Sequence, residues 1–310
     1  MAFTFDIKQK TAELLSQIGS PDGIIEKTAF NLRENGSCAG RQSTDNISIV
    51  SHPSGDGLLI TIKPGTKDEK VFIPACVTEA GISDTVLNEI IVGEGADVKV
   101  VAGCGVHSEG GDAAHSGLHR FVIEKNAKME YIEKHIGTGR SSDKAINTKS
   151  EYIIKEGASV TVISEQIGGV DKAHRDTVAT LEADAAFIVN ERLMTDGEDR
   201  VDTEFTVTLN GDNSKADVSS RSVARGHSHQ SYVSRIEGNA VCTGHTECDA
   251  ILTENGRVEA APCLAAKCPD AALIHEAAIG KIAGEQIIKL CSLGLTTEEA
   301  EKKIIEGFLK

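Results

Sequence analysis

From about Ile47 onward, apolar residues recur at every second position, the period of a strand with one face buried. Ile47 and Ile49, then Leu59-Ile60-Thr61-Ile62 and Val71-Phe72-Ile73, form short runs broken by Gly and Pro. Three longer stretches superimpose without gaps: Val92-Gly-Glu-Gly-Ala-Asp-Val-Lys-Val-Val, Ile123-Glu-Lys-Asn-Ala-Lys-Met-Glu-Tyr-Ile and Ile154-Lys-Glu-Gly-Ala-Ser-Val-Thr-Val-Ile. Their starts lie 31 residues apart, and weaker echoes follow near 184, 215 and 239. Each copy is a small turn followed by an alternating strand. Such a unit cannot bury its own apolar face, so stacked neighbours must cover it. The spacing predicts one or two rungs of a parallel β-solenoid per repeat, with Val98, Met129 and Val160 inside. A β-sandwich is the competing arrangement.

The ends of the chain change period. Ile7, Leu14, Leu15 and Ile18 recur at helical spacing up to Gly19, and a second short helix is expected from near Ile24 into Asn35-Gly36. After the strands, Ile279, Ile282, Ile287 or Ile288 and Cys291 give a helical stripe that Gly294 ends. Thr296-Thr-Glu-Glu299 is a capping box, opening a helix with Ala300, Ile304, Ile305 and Phe308 on one side. This hairpin either plugs the open end of the solenoid or offers an apolar stripe to another protein.

Charge narrows the function. The chain has 310 residues with 32 basic and 47 acidic side chains, a net −15. That balance argues against a nucleic-acid groove and against anionic membrane surfaces. No apolar run is long enough to span a bilayer, and the start has no secretory signal pattern, so a cytoplasmic address is expected. Thiols stay reduced there, and the eight cysteines read as buried residues or metal ligands rather than a disulfide frame. Aromatics are 4% and Trp is absent, which argues against a core built on large rings.

Five of the cysteines (Cys242, Cys248, Cys263, Cys268 and Cys291) fall in the last quarter, with His245, His275 and Glu276 among them. Thiolate beside imidazole and carboxylate is a ligand set for zinc or iron–sulfur chemistry. Cys248 shares a strand face with Ala250 and Leu252, which equally suits an inert core thiol. Cys242 lies on the same face if the strand is continuous, and Gly244 is expected to break it. Cys263 and Cys268 are not spaced as in a zinc ribbon. His275 and Glu276 would return one rung later above the same place. A second constellation, Cys104, His107, His115 and His119 around Glu109 and Asp112, has the ligand types to hold a metal, but reads more readily as a glycine-rich loop whose histidines are solvated or bonded to Asp112. His227 and His229 occupy another loop. Neither a P-loop nor a G-x-S-x-G elbow occurs.

The stretches Gly244-His-Thr-Glu-Cys-Asp-Ala-Ile-Leu252, Asp270-Ala-Ala-Leu-Ile-His-Glu-Ala-Ala-Ile-Gly-Lys-Ile282, Gly284-Glu-Gln-Ile-Ile-Lys-Leu290 and Leu293-Gly-Leu-Thr-Thr-Glu-Glu-Ala300 carry a family resemblance. So do His115-Ser-Gly-Leu-His-Arg and Ala127-Lys-Met-Glu-Tyr-Ile. The chain resembles the SufB/SufD proteins of the SUF iron–sulfur cluster assembly system, in length a short SufB-like member. The resemblance implies a right-handed parallel β-helix over 45–276 between helical segments 1–44 and 277–310. It implies a non-enzymatic scaffold for assembling and transferring a [2Fe–2S] or [4Fe–4S] cluster. A homodimer, or a pair with a SufD-like paralogue, would dock a SufC-like ABC-type ATPase on the C-terminal helices. A sulfur donor and apo-protein acceptors complete the expected partners. Cys248 falls on the family's cluster-building cysteine, and His275 and Glu276 on the residues that face it. Cys242, Cys263 and Cys268 are extra thiols beyond the general signature and join the expected ligand set. The rival functions are a β-helix carbohydrate-active enzyme and a structural docking solenoid without a cluster.

Overall fold

The computed structural model describes residues 7–19, 28–55 and 57–310. Helix α1 (Gln9–Gln17) precedes the antiparallel hairpin β1 (Ala29–Glu34) and β2 (Ser37–Gln42), followed by β3 (Ile47–Ser51). Strands then come in pairs: β4 (Gly57–Ile62) and β5 (Lys67–Phe72) with the short β6 (Ala75–Val77); β7 (Ile82–Val92) and β8 (Asp97–His107); β9 (Ala113–Ile123) and β10 (Lys128–Thr138); β11 (Lys144–Ile154) and β12 (Ser159–Ile167). The series continues with β13 (Lys172–Leu181) and β14 (Ala186–Thr195), β15 (Arg200–Leu209) and β16 (Lys215–Ala224), β17 (His229–Gly238) and β18 (Thr243–Leu252), β19 (Arg257–Ala266) and β20 (Ala272–Gly280). Helices α2 (Gly284–Ser292) and α3 (Thr297–Phe308) close the chain.

Each pair is one turn of a parallel β-solenoid of about 8 turns. Sheet one stacks β8, β10, β12, β14, β16, β18 and β20; sheet two stacks β7, β9, β11, β13, β15, β17 and β19. The 31-residue repeat is therefore one whole turn. Met129 pairs in register with Val98 and Val160, all three buried in the lumen. Continuous parallel register rules out the sandwich.

The turn signal has a clear cause. Gly95, Asn126, Gly157, Asp184 and Asn213 all hold positive φ, where Gly and Asn cost least. The residue after each (Ala96, Ala127, Ala158, Ala185, Ser214) accepts a backbone bond from the next rung: Lys128 N donates to Ala96 O at 2.7 Å and Thr243 N to Ser214 O at 3.0 Å. Cys242 and Ala271 continue this column, with Ala272 N donating to Cys242 O at 2.9 Å.

Three expectations need correction. Ala29–Glu34 is a strand rather than a helix, because its Ala29, Phe30 and Leu32 are buried in a sheet; the part of that expected helix before Thr28 lies outside the described residues. Ile279 belongs to β20, so helical periodicity begins only at Gly284. The few aromatics are concentrated in the lumen. Phe121 stacks on Tyr152 with centroids 4.6 Å apart, and Tyr131 and Phe187 pack against that pair. A narrow lumen needs few rings, and each contributes about 2–3 kcal/mol by burial.

Helix α1 lies on the outer face of β8. A Cβ at Gly103 would come within 2.8 Å of Ile18, and one at Gly105 within 3.0 Å of Leu14. At the other end Thr296 Oγ1 accepts from Glu299 N at 3.2 Å and Glu299 Oε2 accepts from Thr296 N at 2.8 Å, the expected capping box.

Candidate functional site

Alternation places the ligand-type residues. In β18, Gly244, Thr246, Cys248 and Ala250 face the lumen, while His245, Glu247 and Asp249 face out. Gly244 does not break the strand: the lumen leaves it no room, since a Cβ there would meet Leu273 at 2.8 Å. The last rung repeats the pattern one level up. His275 stacks on Thr246, Glu276 on Glu247 and Ala277 on Cys248.

The six sequence-selected residues consequently occupy different places. Cys248, 1% exposed, and His275 share the lumen side near the open end. Glu276 points out, its Oε2 4.0 Å from His245 Nε2, while His245 Nδ1 meets Asp217 Oδ1 at 3.0 Å. Cys242 sits at the turn edge beside the loop of Cys268, about 20 Å along the strand from Cys248. Cys263 faces out on β19, in register with Arg235. Among the described residues no three His, Cys, Asp or Glu side chains converge to hold a metal ion.

Burial, then the carboxylates of Glu191, Asp249 and Glu247, push the Cys248 thiol up to about 12. Burial also raises Cys242. His275 Nδ1 is enclosed without a hydrogen-bond partner, a donor or acceptor left available at the open end. The end itself is unfinished. Strands β19 and β20 each pair on one side only, and Leu264, Ile274 and Ile279 are exposed there.

Below Cys248 runs a polar column that composition and motif spacing did not reveal. Glu133, Ser164, Glu191, Ser220 and Cys248 occupy one register position on successive rungs. Ser220 Oγ donates to Glu191 Oε2 at 2.6 Å, and Arg175 Nη1 donates to Glu191 Oε1 at 2.8 Å. Arg175 Nη2 reaches Gln166 Oε1 at 2.6 Å across the lumen. The signal was present in parity: Glu133 keeps the inward phase of Met129 and Tyr131.

The second constellation also differs from its expectation. Cys104 and His107 end β8, and His115 and His119 lie within β9, all four buried. His115 Nδ1 bonds Asp84 Oδ2 at 3.1 Å rather than Asp112, and Arg33 Nη2 holds the same carboxylate at 2.6 Å. These histidines are interior because the strands extend further than the glycines suggested.

Buried titratable groups make the lumen acid-labile. Burial lowers His119 to about 4. Burial acts to raise Glu133, but His135, His119 and Arg175 hold it at about 2. Burial likewise opposes Asp84, which His115 and Arg33 hold well below the carboxylate range. In each case the unfolded chain takes up its proton at higher pH than the folded one. The contribution of these groups should therefore be full above about pH 7 and fall on acidification, first through His119 below about 6.5, then through the carboxylates below about 4, with Asp199, raised to about 6 by burial, opposing part of the fall. Urea midpoints measured between pH 7 and 4 should decline steadily, and His119→Gln should flatten the upper part of that decline.

Fold and donor set together define the class: a parallel β-solenoid ending in an unpaired rung that carries thiol, imidazole and carboxylate groups. The model of the SUF system FeS cluster assembly SufBD core domain matches residues 78–308. An iron–sulfur cluster assembly SufBD family protein of Archaeoglobus fulgidus is 33% identical over 259 residues, 82% of this chain and 68% of that protein. One from Methanocaldococcus jannaschii is 32% identical over 275 residues, 86% and 85% of the two chains. The SufD assembly protein of Bacillus subtilis is 26% identical over 224 residues, 61% and 51% of the two. The chain belongs to the SufBD family, and its sphere is iron–sulfur cluster assembly. No helix among the described residues is long and apolar enough to cross a membrane.

Proposed function

We propose that the chain is a scaffold on which iron–sulfur clusters are built and handed on, with the last rung as the assembly place. The carrying observation is that this rung leaves both sheet edges unpaired while Cys248 and His275 lie at the open lumen. A second copy, or a SufD-like paralogue, meeting those edges would continue the sheets and bring a second set of donors to the same opening. Cys248 supplies the thiolate, His275 the imidazole from the lumen, and Glu276 a carboxylate at the outer lip. Cys242 and Cys268 at the turn edge and Cys263 on the outer face lie too far from Cys248 to ligate the same cluster within one chain. Thiolate with weaker nitrogen or oxygen ligands suits a cluster that must leave for apo-protein acceptors. A separate donor supplies sulfur. Anaerobic purification followed by iron and sulfide analysis tests the reading: equimolar iron and sulfide support it, and their absence after reconstitution ends it.

Energy for the cycle would come from a SufC-like ABC-type ATPase docked on α2 and α3. Within α3, Ala300 and Ile305 are buried, while Ile304 and Phe308 are half-exposed; on α2, Ile288 is 69% exposed, and Leu293 just after it 72%. Ile305 therefore serves the solenoid side, and Ile288, Leu293, Ile304 and Phe308 remain for a partner. Phe308→Ala should weaken the complex by about 2 kcal/mol, roughly 30-fold, and Ile304→Asp by more. Titration of the purified ATPase checks this; unchanged affinity in both variants would assign the stripe to capping alone.

A further inference from the structure

Arg200, His229 and Arg257 each open a strand of sheet two and stand in direct register on successive rungs. The preceding turns stack in the same way: His227 N donates to Gly197 O at 2.7 Å and Asn255 N to Gly226 O at 2.9 Å. With rungs about 4.8 Å apart, the backbones of Arg200 and Arg257 lie about 10 Å apart with His229 between them. Two guanidinium side chains can close on one anion across that span. Asn255 Nδ2 donates to His227 Nε2 at 3.3 Å, which orients the imidazole beside the column.

These residues line a cavity of about 470 Å³ whose walls are Arg200, His227, His229, Asn255 and Arg257, with neither a carboxylate nor an apolar side chain among them. Glu198 and Glu259 stand at the rim, 84% and 78% exposed, 3.7 Å from His227 Nδ1 and 3.5 Å from His229 Nε2. Arg33, Arg120, Arg175, Arg192 and Arg235 each bind a carboxylate. Among the described residues Arg200 and Arg257 have no such partner. In a chain of net charge −15, acidic partners were plentiful, yet neither guanidinium of this column is taken by one. On its other side Arg200 stands directly opposite Lys172, a like charge that is unfavourable in cross-strand register.

We propose that this pocket binds a phosphate dianion, free or carried by a small phosphorylated molecule. Guanidinium groups match phosphate oxygens with paired N–H donors, and His229 and Asn255 add donors at the centre. The volume exceeds that of a lone phosphate and falls in the usual range for small-molecule sites.

Calorimetric titration of inorganic phosphate and of adenosine monophosphate into the purified full chain, at low ionic strength, tests the assignment. Saturable one-to-one binding is expected. Arg200→Gln and Arg257→Gln should each weaken it roughly tenfold or more, and the double variant should abolish it. Arg140→Gln, at an exposed position on another turn, should leave it unchanged. Thermal melts of the two pocket variants should match or exceed wild type, because each removes an exposed cation that no carboxylate holds. Tighter binding of the nucleotide identifies a phosphorylated molecule as the source, and equal binding identifies free phosphate. No saturable binding of either probe, or binding indifferent to both substitutions, overturns the proposal. So does binding confined to a polyglutamate peptide, which would make this face a docking site for an acidic protein.

Discussion

Cys248→Ala is expected to reduce bound iron from the wild-type level to background after anaerobic reconstitution, with little loss of stability. A methyl group cannot ligate iron, whereas the packing lost is one sulfur atom in a lumen already lined by small neighbours, Ser220 below and Ala277 above. That packing costs about 1 kcal/mol. The thiol, pushed up to about 12, is protonated in the free chain, so ligation must displace its proton. Glu276→Ala should weaken the cluster without abolishing it, since this side chain reaches the opening only from the outer face. The pair of outcomes is discriminating. A core thiol with no ligand role gives the same small loss of stability with iron unchanged, and iron counting separates the two.

Arg175→Met is expected to be among the most destabilising single changes in the chain, by about 3–5 kcal/mol. Arg175 and Glu191 are nearly inaccessible, with side-chain exposures of 4% and 1%. Removing the guanidinium leaves the Glu191 carboxyl buried in the lumen with Ser220 and Thr203 as its remaining donors, and Glu133 lies in the same column. The charge then lacks both its Coulomb partner and its strongest hydrogen bond. Adding Glu191→Leu should restore most of the loss, because a buried pair replaced by apolar groups is often neutral. Urea unfolding of both variants checks this. Equal stability of Arg175→Met and wild type would show that water reaches Glu191.

Much of the fold was legible because solenoid rungs repeat a local instruction. The αL turn at Gly95, Asn126 and Gly157, followed by Ala and an alternating strand, is written within ten residues each time. The interior chemistry was less legible. Whether His115 meets Asp84 or Asp112 depends on where strands end, and glycine-rich spacing set that boundary too early. Glu276 and His275 are adjacent in sequence, yet strand alternation sends them to opposite faces. The crowding of cysteines at the C-terminal end likewise dissolves into lumen, turn edge and outer surface. Parity alone keeps Cys248 and His275 together: they share the lumen face of adjacent rungs, two register positions apart.

The column of small turn residues, Ala96, Ala127, Ala158, Ala185, Ser214, Cys242 and Ala271, has a consequence for how such a chain can change. Each member holds an equivalent register position that takes methyl, hydroxymethyl or thiol side chains, whether the residue before it is left-handed, as from Gly95 to Asn213, or not, as before Cys242 and Ala271. A sulfur can therefore be installed at another level by one substitution, displaced by a whole rung of about 4.8 Å at a time. The solenoid acts as a graduated rail, on which the height of an edge thiol above the lumen's open mouth takes discrete values. Ser214→Cys would move the sulfur one graduation inward, and Ala271→Cys one graduation out.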